Sequence, residues 1–179
     1  MVITLVTGGA RTGKSKFAES LFKSDEDVVY IATARITDKE MEERIKHHQS
    51  FRPKHWRTCE ANYNLKDAIG NEKNYLLDCI TVLTSNIMYD ISKDKESIDL
   101  EIQQTIEDSV FCELKELMDE IRKKGYHLVM VTNEVGYSIV PSHPVSRAFR
   151  DIQGRINQRI AAEADQVYLV CCGIPVKIK

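Results

Sequence analysis

"VITLVT" over residues 2–7 runs straight into "VTGGARTGKS" over residues 6–15, and the reading of that passage decides the fold. Six β-prone residues make a buried strand, and the glycines that follow end it. Gly8, Gly13, Lys14 and Ser15 then satisfy G-x-x-x-x-G-K-[ST], with a helical pattern starting at Gly13. The order strand, glycine-rich turn, helix gives the motif a mechanism. Backbone N–H groups of Gly8, Gly9, Ala10, Arg11, Thr12 and Gly13 converge on phosphate oxygens, and the helix N-terminus adds its positive end. Lys14 reaches the terminal phosphates, and the Ser15 hydroxyl can ligate Mg²⁺. Arg11, inside the loop, is a second cation for phosphate charge.

Outward from this loop, short runs rich in Val, Ile, Leu and Tyr recur as "VVYIAT", "NYLLDC", "HLVMVT" and "QVYLVC". Longer stretches with helical spacing separate them, predicting helices over 13–22, 39–49, 65–69, 81–90, 100–123 and 145–164. The last has Pro141 and Pro144 before it and Phe149, Ile152, Ile156, Ile160 and Ala164 along one face. Strands alternating with helices predict an α/β fold of the P-loop NTPase (RecA-like) type, a mostly parallel sheet with helices on both faces. The closing "GIPVKIK" reads as a hairpin partner for the strand over 166–171, with Gly173 in the turn. At 179 residues the chain reads as a single domain over 1–179. The charged, breaker-rich "SKDKESID" over 92–99 reads as a mobile surface loop.

Composition narrows the function. A formal net charge of −2 gives no global positive field for nucleic acid or an anionic membrane face. No apolar run approaches the ~20 residues of a membrane span, so the chain reads as soluble and cytoplasmic. Cys59, Cys79, Cys112, Cys171 and Cys172 lack CxxC spacing and several lie in apolar runs, which predicts buried, reduced thiols. No NKxD base-reading motif of a signalling GTPase is present. What remains is a small-molecule kinase, or a nucleotide-switched regulatory ATPase or GTPase.

Two strand-end acids could serve a metal ion. Asp78 after "NYLL" is costly at the end of a buried strand unless a cation or hydrogen bonds compensate it, and a helix N-cap is its structural alternative. Glu134 after "LVMVTN" is a second such acid, open to metal contact, substrate contact or loop hydrogen bonding. Less expected in a kinase is the pair His47 and His48 in "RIKHHQSFRP". On a helix over 39–49, Met41, Ile45 and His48 share one face and His47 lies beside Glu43 and Arg44, leaving His47 freer to meet a ligand.

"LVTGGARTGKS", "YIATA", "DKEMEERIKHHQSFRPKHWRT", "LLDCIT", "VTNEVGYSIVP", "RAFRDIQGRINQRIAAEADQVYLV" and "GIPVKIK", in this order, resemble the bifunctional adenosylcobinamide kinase/adenosylcobinamide-phosphate guanylyltransferases of cobalamin biosynthesis. The resemblance implies phosphorylation of the aminopropanol hydroxyl of adenosylcobinamide, then transfer of GMP from GTP onto that phosphate. It also implies GTP and ATP as substrates, Mg²⁺ as cofactor and a homo-oligomer, a trimer. The family's guanylylated histidine corresponds to His47, with His48 one residue away. Neutral imidazole, with an ordinary pKa of ~6.5, can attack phosphorus and leave again near neutral pH. Thr33, Ala34 and Arg35 resemble a nucleotide-contacting segment, and His48, Gln49, Ser50, Phe51 and Arg52 one that encloses the guanine nucleotide. Glu60 and Asp78 match acidic positions near the nucleotide, Asp78 and Ser15 being the expected metal ligands.

Overall fold

A computed structural model describes residues 1–23, 27–36, 39–40, 42–43, 53–95 and 97–179. Its frame is one seven-stranded sheet. The strands are β1 (Val2–Thr7), β2 (Val28–Ala32), β3 (Arg57–Glu60), β4 (Asn74–Asp78), β5 (His127–Val131), β6 (Gln166–Cys171) and β7 (Ile174–Lys177). They lie in the order β3-β2-β4-β5-β1-β6-β7. Every neighbouring pair is parallel except β6–β7, the antiparallel hairpin expected from "GIPVKIK". Cys172 and Gly173 both have positive φ, 53° and 80°, the left-handed pair that a two-residue hairpin turn requires.

Both faces of the central strands are apolar, because each is covered. Ile3, Leu5, Val29, Ile31, Tyr75, Leu77, Leu128 and Met130 point to one core, and Val6, Val28, Tyr30, Leu76, Val129 and Val131 to the other. This is the period-two alternation of a strand with apolar residues at both phases. The first core is closed by α2 (Ile80–Ser92), α3 (Leu100–Lys124), α4 (Pro144–Glu163) and a 3₁₀ turn at Leu65–Ala68. The second is closed by α1 (Lys14–Ser20), through Phe17 and Ala18, together with Phe22 and Trp56. Trp56 meets Phe22 edge-on at 5.8 Å, which makes it a core residue.

The helix ends follow local chemistry. Asp99 caps α3 by accepting from the Ile102 N–H at 2.9 Å. At the other end Gly125, with φ of 71°, lets its own N–H and that of Tyr126 bond the Arg122 and Ile121 carbonyls. Pro144 opens α4, where its missing N–H would have had no partner.

Two expectations change, and one strand was not anticipated. Strand β3 has no apolar run to announce it, since an edge strand with mostly exposed residues needs none. The thiols are free, but only Cys79 is buried; Cys59 is half-buried, and Cys112, Cys171 and Cys172 are exposed. Ser92 belongs to α2, so the connection to α3 is shorter than the charged run suggested. The expected helix over 39–49 is seen only at residues 39–40 and 42–43, and its remainder lies outside the described residues.

Leu77 is fully buried mid-sheet, and truncation to alanine there leaves a cavity. Leu77→Ala is expected to cost about 2–5 kcal/mol and to lower the melting temperature by roughly 5–20 °C. Calorimetry on the purified chain checks it.

Candidate active site

The parallel strands all end at one edge, and the chemistry-bearing residues gather there because loops at that edge are where open α/β sheets bind ligands. In register, Glu60 lies opposite Ala32, Ala32 opposite Asp78, Asp78 opposite Val131 and Val131 opposite Val6. The loop after β1 therefore starts beside the loop after β5 and two strands from Asp78.

That loop is preshaped by contacts with the hairpin. Gly8 has φ of 152°, and a Cβ on it would lie 2.4 Å from the Val170 carbonyl oxygen of β6. Gly13, φ 93°, faces the Gly173 Cα, 3.3 Å from where its own Cβ would be. The Gly173 N–H donates to the Thr12 carbonyl at 2.9 Å. Within the loop, Thr12 Oγ1 donates to the Gly9 carbonyl at 3.0 Å and Lys14 Nζ donates to the same carbonyl. Ser15 is half-buried in the first turn of α1, while Ala10 and Arg11 are exposed. Lys14 is buried, and burial pushes its pKa below the usual lysine range, with Cys79 and Asp78 acting in the opposite sense. A desolvated ammonium bonded only to a backbone carbonyl, at the foot of a glycine-rich loop, is suited to phosphate. Cys79 is pushed up to about 12, by burial first and by Asp78 second, so it stays a neutral thiol.

Asp78 ends β4 with one carboxylate oxygen accepting from Tyr30 OH at 2.8 Å. Cys79 stands at the N-cap of α2, and no side chain caps that end, so the capping alternative for Asp78 does not hold. Thr33 is fully buried behind it, its hydroxyl donating to the Cys79 carbonyl at 2.8 Å and accepting the Cys79 N–H at 2.9 Å. Thr33 thus shapes the end of β4 through its side chain. Ala34 follows, half-buried. Arg35 is engaged elsewhere, bidentate to Asp90 of α2 at 2.8 and 2.7 Å, with Tyr63 OH on the same carboxylate at 2.9 Å. The Arg35 hydrogen bonds hold Asp90 below the usual carboxylate range. Glu60 is exposed at the end of β3. His47, His48, Gln49, Ser50, Phe51 and Arg52 lie outside the described residues.

The structure adds partners that the sequence reading missed. Glu134 Oε1 accepts from Thr7 Oγ1 at 2.8 Å and from Asn157 Nδ2 at 3.1 Å, while the Glu134 N–H bonds the Gly8 carbonyl at 3.0 Å. Asn157 also takes the Thr132 hydroxyl at 2.8 Å and Gln153 Nε2 at 2.8 Å, and the Thr81 hydroxyl accepts the Asn133 N–H at 2.8 Å. The signal was present in "IQGRINQ": Gln153 and Asn157, one turn apart on α4, interrupt an otherwise apolar face. Arg159 of α4 is structural. It bonds Glu107 and Asp108 of α3 at 3.2 and 2.9 Å, while Glu163 is held by Arg122 at 3.0 Å.

Among the described residues no group of three or more His, Cys, Asp or Glu side chains could cage a metal ion. Nor is any described helix long and apolar enough to cross a membrane. The donor set suits Mg²⁺, which needs only one or two hard oxygen ligands when phosphates supply others. Asp78, with one oxygen not taken by Tyr30, and the Ser15 hydroxyl fit that demand.

A strand–glycine loop–helix unit with an inward lysine, a strand-end acid two strands away and a parallel sheet covered on both faces define a P-loop nucleotide-binding protein. A family model described as "Cobinamide kinase / cobinamide phosphate guanyltransferase" matches residues 4–178, and the chain belongs to that family. A bifunctional adenosylcobalamin biosynthesis protein CobU of Escherichia coli (strain K12) is 43% identical over 99% of this chain and 100% of its own length. The protein of the same description from Salmonella typhimurium is 44% identical, again over 99% and 100%. Among solved structures, a KaiC-like protein from Pyrococcus horikoshii OT3 covers 94% of this chain and 70% of its own at 18% identity, with a TM-score of 0.43.

Lys14 offers a test of site against stability. Its lowered pKa means that the folded chain binds fewer protons than the unfolded one between the folded and unfolded values, so this group's contribution to stability rises with pH there. Below that window the buried charge is a cost. Lys14→Met is expected to leave the nucleotide-free melting temperature at pH 7 unchanged or raised by ~1–4 °C while weakening GTP binding by 100-fold or more. Scanning calorimetry and titration calorimetry on one preparation check both halves.

Proposed function

We propose that this protein phosphorylates adenosylcobinamide and then transfers GMP from GTP to adenosylcobinamide phosphate through a guanylyl-histidine intermediate on His47. The observation that carries the reading is the preshaped loop Gly8–Ser15 with Lys14 buried at its foot, in a chain whose family description names both activities. In the first reaction the aminopropanol hydroxyl attacks the γ-phosphorus of ATP or GTP held in the loop, and the nucleoside diphosphate leaves. In the second, a neutral imidazole nitrogen of His47 attacks the α-phosphorus of GTP and pyrophosphate leaves. The corrinoid phosphate then attacks the phosphoramidate, the P–N bond breaks, and adenosylcobinamide-GDP is released.

The chain's own groups have separable tasks. Backbone N–H groups of residues 8–15 and the α1 N-terminus hold the phosphates, and Lys14 follows the charge that moves onto the leaving oxygen. Ser15 and Asp78 would hold Mg²⁺, with Tyr30 orienting Asp78. Bound there, the ion would neutralise phosphate charge and orient the polyphosphate. Trp56, shortly after residues 47–52 in sequence, packs on the face of the sheet that carries α1. Cytoplasmic location and assembly as a homotrimer complete the reading, the latter open to sedimentation.

Incubation with α-labelled GTP and Mg²⁺ is expected to leave acid-labile, base-stable label on the intact chain, lost in His47→Ala and retained in His48→Ala. An unlabelled wild-type chain rules out the covalent route. Label that survives in His47→Ala moves the nucleophile elsewhere.

A further inference from the structure

The two reactions differ in the proton inventory of their acceptors. In guanylyl transfer the acceptor is a phosphate monoester, whose second pKa is about 6, so it arrives ionised and has no proton to surrender. In the kinase step the acceptor is an aliphatic hydroxyl, as weak an acid as water, and its proton must go to a base as the O–P bond forms. The imidazole that attacks the α-phosphorus is not placed for that task by the reading above.

We propose that Glu134 is the proton acceptor for the corrinoid hydroxyl in the kinase half-reaction, with Thr7 and Asn157 as its positioning residues. This inference rests on the reading under Proposed function. Glu134 sits beside the phosphate loop, its own N–H bonded to the Gly8 carbonyl. Both side-chain bonds that its carboxylate accepts from the described residues fall on one oxygen, Oε1, from Thr7 at the end of β1 and Asn157 of α4. Oε2 accepts no hydrogen bond from the described residues and is left to a ligand. Two donors on one carboxylate oxygen, supplied by a strand and a helix that meet across the sheet, set the direction of the other.

Behind these contacts stands a buried polar cluster that is costly to build for packing alone. Asn157 and Gln153 are buried on the core face of α4, and Thr132 is fully buried at the end of β5. Gln153 Nε2 bonds Thr132 at 3.1 Å and Asn157 Oδ1 at 2.8 Å, which orients the Asn157 amide so that its Nδ2 faces Glu134 and the Asn133 carbonyl. Gln153 Oε1 itself has no partner among the described residues, a penalty the core tolerates with the amide turned this way. Hydrophobic residues of similar volume at 153 and 157 would pack as well and could not hold a carboxylate.

The step balances without further reagents. The hydroxyl O–H bond breaks and its proton passes to Glu134 Oε2. The oxygen's electron pair forms the bond to the γ-phosphorus, and the bond from that phosphorus to the β-phosphate oxygen breaks with its electrons on the nucleoside diphosphate. Proton loss to solvent resets the carboxylate.

The test runs two assays on each full-length variant: γ-phosphate transfer from labelled GTP to adenosylcobinamide, and GMP labelling of the chain from α-labelled GTP. Glu134→Gln is expected to lower kinase kcat by about 10²–10⁴-fold, with KM for adenosylcobinamide and the rate of GMP labelling both within threefold of wild type. Thr7→Val, which keeps shape and removes the hydroxyl, is expected to lower kinase kcat roughly tenfold with labelling intact, and Thr7→Ser to restore it. Equal loss of both half-reactions in Glu134→Gln overturns the proposal and assigns Glu134 to a contact with the nucleotide or metal that both steps share. An undiminished kinase rate overturns it too. A wild-type chain that passes no phosphate to adenosylcobinamide instead defeats the reading under Proposed function, and this inference falls with it.

Discussion

The phosphate loop is gripped from behind. Its first glycine lies so close to the Val170 carbonyl that no side chain fits, and its Thr12 carbonyl is held by the N–H of Gly173 in the hairpin turn. The N-terminal loop therefore takes its shape from the C-terminal hairpin, and the sheet is what brings the two together, through the parallel pairing of β1 with β6. A loop of convergent N–H groups is electrostatically uncomfortable without an anion, and fixing it in advance removes the ordering cost at the moment of binding. The left-handed turn at Cys172 and Gly173 is part of the same device, because it aims the Gly173 N–H at the loop.

The other candidate groups of the site inherit their positions from strand ends. Asp78 closes β4, Glu134 follows β5, and the loop follows β1, three strands adjacent in the sheet. Each acid is then turned by a hydroxyl from a neighbouring strand, Tyr30 of β2 for Asp78 and Thr7 of β1 for Glu134. Two carboxylates are thus oriented by neutral donors and kept off Lys14, whose partner in this structure is a backbone carbonyl. An ammonium so held stays available to phosphate, whereas a direct ion pair would have to be broken first.

Much of this was legible in the sequence because the signals were local. The strands announce themselves as β-branched runs, the loop as a spaced motif, α4 as an apolar stripe with prolines before it, and the hairpin as Gly173 between short runs. What was not legible depends on pairs far apart in the chain. That Arg35 is committed to Asp90, that Arg159 reaches across to α3 and leaves Glu163 to Arg122, and that Thr33 is buried by the turn after β4 are all outcomes of packing. Strand β3 escaped because an exposed edge needs hydrogen bonds more than apolar side chains. The polar pair Gln153 and Asn157 was visible, but its meaning required knowing that Glu134 lies opposite.

The central claim is that one preshaped cradle, Gly8 to Ser15, holds the polyphosphate between the hairpin turn and the acids at the ends of β4 and β5. A crystal structure with a non-hydrolysable GTP analogue and Mg²⁺ tests it most directly. The account predicts phosphate oxygens within hydrogen-bond distance of the N–H groups of the loop and of Lys14 Nζ, with the hairpin turn unmoved and the metal between Ser15 and Asp78. A polyphosphate bound elsewhere, or a loop that must part from Val170 and Gly173 to receive it, would contradict it.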